Sequence, residues 1–147
     1  MKQDRTYVYL NTIRKGMDAD ATAIFSGPGE LAIGPAPEFG GRPGSLNPEE
    51  LFVAAINSCL LMTFSYLSQR SKIRIESYEA NAEGQVQKDS DGLRFVEVTV
   101  RATATVKDPG VAERVCELAQ LAEKYCLVSR SVSCPVHYHL RVEISKE

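Results

Sequence analysis

The chain has no Cys-x-x-Cys pair, no Walker-type or G-x-G-x-x-G phosphate loop and no G-x-S-x-G turn. These absences argue against a phosphate-cradling fold or a serine hydrolase elbow. It also lacks a basic block or stripe. The net charge is −2, so nucleic acid and anionic membrane are poor partners on electrostatic grounds. The opening stretch MKQDRTYVYL carries acid and has no apolar h-region, so no signal peptide is expected and the cytoplasm is the expected compartment. No uninterrupted apolar run approaches the ~20 residues that span a bilayer. Internal repeats and low-complexity tracts are missing too.

What is present fits one globular domain over residues 1–147. Apolar residues make up 44% and charged residues 24%, an ordinary balance for a packed core. Strand-like alternation covers residues 5–12. A turn follows at residues 14–20, a second strand at 21–26, a Gly27-Pro28-Gly29 turn and a short strand at 30–33. Residues 34–45 (GPAPEFGGRPGS) form a Gly/Pro loop that carries Arg42.

Then comes the longest element, residues 47–70: NPEELFVAAINSCLLMTFSYLSQR. Asn47 caps it, Pro48 suits its first position, and Glu49 and Glu50 face the positive end of its dipole. Asn47 with Glu50 approximates a capping box. Apolar residues lie on nearly every side, which predicts a buried helix. A strand over 72–87, an Asp-Gly hairpin turn at 89–92 and a strand over 93–106 follow. A second helix starts at Asp108-Pro109-Gly110 and closes with Tyr125 and Cys126. Residues 127–132 form a connector or helical turn, and a last strand runs over 135–144. The order β-β-β-α-β-β-α-β with short connections predicts an α+β class with a mainly antiparallel sheet.

Four cysteines occur, at 59, 116, 126 and 134. With no secretory signal they read as free thiols, redox groups or metal ligands. Cys59 in an apolar helix reads first as a small apolar filler. Nothing near it in sequence lowers its pKa, so activation needs a distant cation, most simply an arginine. Cys126 ends a second helix. If the two helices pack together, the thiols can form a reversible disulfide, one attacking and the other resolving. Cys134, His137 and His139, with Cys126, offer a weaker zinc set. Cys116 reads as packing, and Ser129 and Ser131 carry no hydrolase signature.

The segments NPEELFVAAINSC and CLVSRSV, together with the element order, resemble the OsmC/Ohr family of osmotically inducible and organic hydroperoxide resistance proteins. The resemblance covers nearly the whole chain. It implies an intertwined α+β homodimer with sites at the subunit interface and thiol-dependent reduction of organic hydroperoxides. By the same resemblance Cys59 matches the attacking cysteine and Cys126 the resolving one. Glu49 matches a glutamate that orients an activating arginine, for which Arg42 is the first choice and Arg14 the second. A dithiol, lipoyl-type in some relatives, would be the reductant, and no bound cofactor is implied. The family's Cys-Pro at the second cysteine is Cys126-Leu127 here, and Cys-Pro appears instead at Cys134-Pro135. The EFGG loop and the LLMTFSYLSQR continuation look closer to a less characterised OsmC-like branch. There the same fold can hold a small apolar ligand or sense thiol redox state without turnover.

Overall fold

The structure is a computed structural model and describes residues 5–17, 20–27 and 29–146. The chain divides into two compact units, Met1–Leu51 and Phe52–Glu147.

In the first unit, β1 (Asn11–Arg14), β2 (Ala21–Phe25) and β3 (Glu30–Ile33) form an antiparallel sheet in that order. The strand expected from residue 5 starts instead at Asn11. Pairing sets this limit: Asn11 already faces Phe25, the last residue of β2, so residues 5–10 have no rung to join. They are exposed and without regular structure. The expected turns at 14–20 and 27–29 include Asp18, Ala19 and Pro28, which lie outside the described residues. The Gly/Pro loop is an ordered element. It holds a 3-10 turn at Pro37–Phe39, closed by Gly40 at a φ of 89°, and Gly34 N–H donates to Leu46 O at 2.9 Å.

The long helix α1 (Pro48–Arg70) starts as the sequence predicts. Asn47 is buried and its Oδ1 accepts the Glu50 N–H at 2.8 Å, which satisfies one of the helix's free donors. Its far end closes in a Schellman motif. Ile73 N–H reaches Ser68 O, and Lys72 N–H reaches Gln69 O, both at 3.0 Å. Lys72 takes the left-handed position at a φ of 55°, where glycine is usual.

In the second unit, β4 (Ser77–Asp89) and β5 (Gly92–Val106) form a hairpin whose Gly92 has a φ of 127°. The expected strand start at 72 moves to 77, after the helix closure. A 3-10 turn at Pro109–Val111 precedes α2 (Ala112–Tyr125) and α3 (Leu127–Arg130), and β6 (Val136–Ile144) then pairs parallel to β5. This one parallel pairing departs from the antiparallel rule because the helices fill the connection, which is long enough to cross over.

Strand alternation aims Val98, Val100, Ala102, Ala104 and Val106 into the core, where they are nearly fully buried. Ile56, Leu60 and Phe64 of α1 and Val115, Leu118 and Ala122 of α2 cover them. Each large apolar side chain sealed here contributes ~1.5–3 kcal/mol. Gly84 permits close approach: a Cβ there would lie 2.7 Å from Val53 and 2.8 Å from the Phe95 ring. The Phe95 ring in turn stacks on Phe52 at 4.4 Å between centroids.

α1 is not buried all round, contrary to the sequence expectation. Its sealed side is the i, i+4 stripe Ile56, Leu60, Phe64 and Ser68. Met62 and Tyr66 on other sides are 60% and 57% exposed. One sheet can cover only one stripe of a helix. With 23 residues and a mean hydropathy of 1.6 over its most apolar window, α1 is long and apolar enough to cross a membrane by length and composition. A core helix passes the same measure, and the Ile56–Leu60–Phe64 side is packed in protein.

Candidate functional site

Two thiols from distant parts of the sequence meet in the second unit. Cys59 sits midway along α1 and is half-buried. Its carbonyl accepts the Thr63 hydroxyl at 2.8 Å. Cys126 is fully buried at the junction of α2 and α3. Its N–H closes α2 on Ala122 O at 2.8 Å, and its carbonyl accepts Arg130 N–H at 3.0 Å. These backbone bonds fix where the sulfur points. Cys126 belongs to the core cluster and Cys59 packs against that cluster, near enough for the Cys59 thiol to act on the ionisation of Cys126, and both are free.

The two sulfurs have different surroundings. Burial pushes the Cys126 thiol above its ordinary value, because a dry core disfavours the thiolate. The Ser129 hydroxyl, donating to Sγ at 3.2 Å, opposes this, as does the Ser129 backbone N–H. The Cys59 thiol adds to the upward shift. Cys126 therefore rests as a neutral thiol in the core, beside a more accessible partner.

The other predicted residues belong to the first unit. Glu49 occupies the first turn of α1, and its Oε2 is buried with no hydrogen-bond partner among the described residues. Arg42 donates to Asp20 Oδ1 at 2.9 Å, with the two side chains 79% and 63% exposed. Arg14 ends β1 on an exposed strand.

The zinc set does not converge. Cys134 is in the core, whereas His137 and His139 alternate onto the outer face of β6, and His137 Nε2 lies 3.8 Å from Glu97 Oε2. No group of three or more potential ligands arranged for a metal exists among the described residues. Cys116 is exposed rather than packed, because it falls off the Val115, Leu118, Ala119 and Ala122 stripe of α2. A groove of about 420 Å³ lined by Asn81, Arg101, Thr103 and Arg141 lies on the outer face of the sheet. Alternation puts it on the side opposite the thiols.

Sequence reasoning missed two tyrosines. Tyr78 on β4 and Tyr138 on β6 share a hydrogen bond of 2.7 Å between their hydroxyls. The alternation that placed both among core-facing residues was the available signal. Burial and this bond hold Tyr138 far above the tyrosine range, and the neighbouring Cys126 adds to it. Ser129, set aside as a hydrolase residue, turns out to be the donor on Cys126.

Residues 41–141 match the family model for OsmC-like proteins. The uncharacterized protein YmaD of Bacillus subtilis is 24% identical over 144 residues, covering 94% of each chain. An organic hydroperoxide resistance protein-like sequence of Staphylococcus aureus is 26% identical over 98 residues, covering 67% of this chain and 69% of its own length. Among solved structures, an OsmC-like protein of unknown function from Vibrio cholerae superposes with a TM-score of 0.82 at 22% identity, covering 92% of this chain and all of that one. An organic hydroperoxide resistance protein OsmC from Legionella pneumophila gives 0.73 at 22% identity, with 96% and 100% covered. By its family match, and with a fold shared along nearly its whole length, the chain belongs to the OsmC-like protein family.

Proposed function

We propose that this protein is a cytoplasmic, homodimeric, thiol-dependent peroxidase that reduces organic hydroperoxides. The observation that carries the reading is the packing of the half-buried Cys59 against the core cluster that holds the sealed Cys126. The hydroperoxide-resistance names of the Staphylococcus and Legionella relatives point the same way.

The Cys59 thiolate attacks the O–O bond. Its sulfur gains a hydroxyl as sulfenic acid, and the alkoxide leaves with a proton as the alcohol. The Cys126 sulfur then attacks the Cys59 sulfur. Hydroxide leaves, takes up the Cys126 proton as water, and a Cys59–Cys126 disulfide remains. A dithiol reductant, of the lipoyl type that the family resemblance implies for some relatives, reopens it by exchange.

A thiol ionises at neutral pH only beside a cation. We assign that task to Arg42, oriented by Glu49, whose buried Oε2 has no partner among the described residues, with Arg14 as the alternative donor. The Arg42–Asp20 pair is exposed, and such pairs are worth no more than ~1 kcal/mol, so it is readily exchanged. The exposed Met62 and Tyr66 of α1 support the homodimer, as apolar surface that a second copy would cover.

The test is consumption of cumene hydroperoxide with dithiothreitol or dihydrolipoamide. Cys59→Ser abolishes it. Cys126→Ser leaves one turnover, with a sulfenic acid trapped at Cys59. Absence of consumption by the wild-type protein with every dithiol tried sinks the proposal.

A further inference from the structure

A hydroxyl on a helix has a ready local acceptor, the carbonyl four residues back. Ser58, Thr63, Ser68 and Ser131 use it here, donating to the carbonyls of Ala54, Cys59, Phe64 and Leu127 at 2.7–2.8 Å. Ser129 of α3 does not. Its hydroxyl donates to the Cys126 sulfur, three residues back, at 3.2 Å. The backbone gives the reason. Cys126 has a ψ of 115°, so the chain leaves the helical path between α2 and α3. The carbonyl four residues before Ser129 belongs to Tyr125, in the last turn of α2 and across that break. The turn of α3 restarts with the Cys126 carbonyl accepting Arg130 N–H. That leaves the Cys126 side chain, not the Tyr125 carbonyl, in front of the Ser129 hydroxyl.

Cys126 is completely buried, and among the described residues Ser129 carries the only hydroxyl that donates to it. Burial works against a thiolate at this sulfur, and the Ser129 hydroxyl works for one. Cys59 on α1 is only half-buried. Thiol–disulfide exchange begins with attack on the sulfur that can be reached, and it runs faster the more stable the departing thiolate. In a Cys59–Cys126 disulfide an external thiol reaches Cys59. Cys126 then has to depart as a thiolate into a dry core, a step that needs a donor already in place.

We propose that Ser129 is a catalytic residue for reopening the Cys59–Cys126 disulfide: its hydroxyl holds the Cys126 sulfur as the leaving group, so that the reductant becomes attached to Cys59. This rests on the thiol-pair reading of the site and adds which sulfur is attacked and what assists the other. One thiolate of a dithiol reductant attacks the Cys59 sulfur. The Cys59–Cys126 bond breaks and its electron pair goes to Cys126. The Ser129 hydroxyl donates to the new thiolate and keeps its own proton. Cys126 then takes up one proton from solvent, matching the one the attacking thiol gave up. The second thiol of the reductant attacks the mixed disulfide, Cys59 departs and is protonated in turn, and the reductant leaves as a disulfide. Two electrons and two protons pass from reductant to protein. Among the described residues, the ionisable groups around Cys126 are Cys59 from α1, Tyr138 from β6 and, in and against the same core cluster, Cys134 and Tyr78.

The test starts from protein closed with diamide, an azo compound that takes two electrons and two protons from a thiol pair, so no hydroperoxide activity is required. Reopening by dithiothreitol is followed by mass in wild type, Ser129→Ala and Ser129→Thr. A monothiol, mercaptoethanol, replaces the dithiol to trap the mixed disulfide, whose position is read by peptide mass. In a Cys59→Ser background, ionisation of Cys126 is read from its Cβ chemical shift across pH. Ser129→Ala is expected to slow reopening about three-fold or more and to raise the Cys126 midpoint by about one pH unit. Ser129→Thr keeps the hydroxyl and should restore both. The mercaptoethanol adduct should sit on Cys59. Wild-type reopening in Ser129→Ala overturns the proposal, as does an adduct on Cys126. So does slower reopening with an unmoved midpoint, which marks a packing effect only. If Ser129→Ala does not fold, Ser129→Gly is read in the same way. A wild type in which diamide joins no Cys59 to Cys126 removes the thiol pair and the role of Ser129 together. One that closes under diamide but ignores hydroperoxide removes the peroxidase and leaves the role of Ser129 standing.

Discussion

The hydroxyls of Tyr78 and Tyr138 meet at 2.7 Å, tying the two outer strands of the β4–β5–β6 sheet together over its middle strand. Backbone ladders join neighbouring strands only, so this bond links β4 directly to β6. It does so inside the core, where hydrogen bonds are strong and unmade ones costly.

Burial of these hydroxyls and of the nearby Cys126 thiol makes the fold sensitive to alkali. Cys126, Tyr78 and Tyr138 all have pKa values raised in the folded state above ordinary values of 9.0 for the thiol and 10.0 for the phenols. A raised pKa means that the native state holds its proton longer than the unfolded chain. The stabilisation is then complete below pH 9 and is lost as pH climbs through the folded values. Urea unfolding should show constant stability from pH 7 to 8 and a steep fall above pH 9–10. Tyr138→Phe should flatten part of that fall. An unchanged slope would remove Tyr138 from the titration.

Arg42 offers a separation of stability from chemistry. Its exposed pair with Asp20 implies that Arg42→Ala changes unfolding free energy by less than ~1 kcal/mol. Loss of an activating cation should lower hydroperoxide turnover at least ten-fold. Asp20→Ala should leave turnover unchanged or raise it, because it frees the guanidinium. Full activity in Arg42→Ala would transfer the role to Arg14, tested by the same assay.

Gly84 marks a close approach of α1 to the sheet. Ala at this position places a methyl 2.7 Å from Val53 Cγ2 and 2.8 Å from the Phe95 ring. Overpacking of this kind costs ~1–3 kcal/mol. Denaturant midpoints of Gly84→Ala and Gly84→Ala/Val53→Ala should differ, the second variant recovering part of the loss.

Lys72 is the reverse case. It holds the left-handed closing position of α1 at a φ of 55°, a conformation that costs a side-chain-bearing residue ~1–2 kcal/mol. Lys72→Gly should therefore raise the thermal midpoint by a few degrees. A lower midpoint would show that Lys72 makes contacts worth more than the strain.

Much of this architecture was readable from pattern. The start of α1 at Pro48 follows from Asn47, Pro48 and Glu50, whose chemistry is local and sits within four residues. The hairpin at Gly92 is equally local. The limits of β1 and β4 were not, since a strand ends where its partner ends, and residues 5–10 have strand composition without a partner. The one-sided burial of α1 escaped because composition gives a helix's apolar surface, not the number of surfaces available to cover it. For the site, the sequence supplied two cysteines on two helices but no evidence that they touch. Cys116 shows why residue type alone misleads: its fate turned on one position of helical phase. The role of Ser129 depended on a three-residue offset from a cysteine, which no motif records.

The parallel pairing of β6 with β5 carries a consequence for assembly of the chain. β6 cannot take its place until the whole connection bearing α2, α3 and Cys126 has wrapped across the sheet, a slow kind of closure. In the unfolded chain the four cysteines can pair in several ways. Only after β6 is seated is Cys126 held beside Cys59. A disulfide formed between these two thiols, as proposed above, would thus be a certificate of completed folding, and a chain oxidised too early would be locked out of its native order.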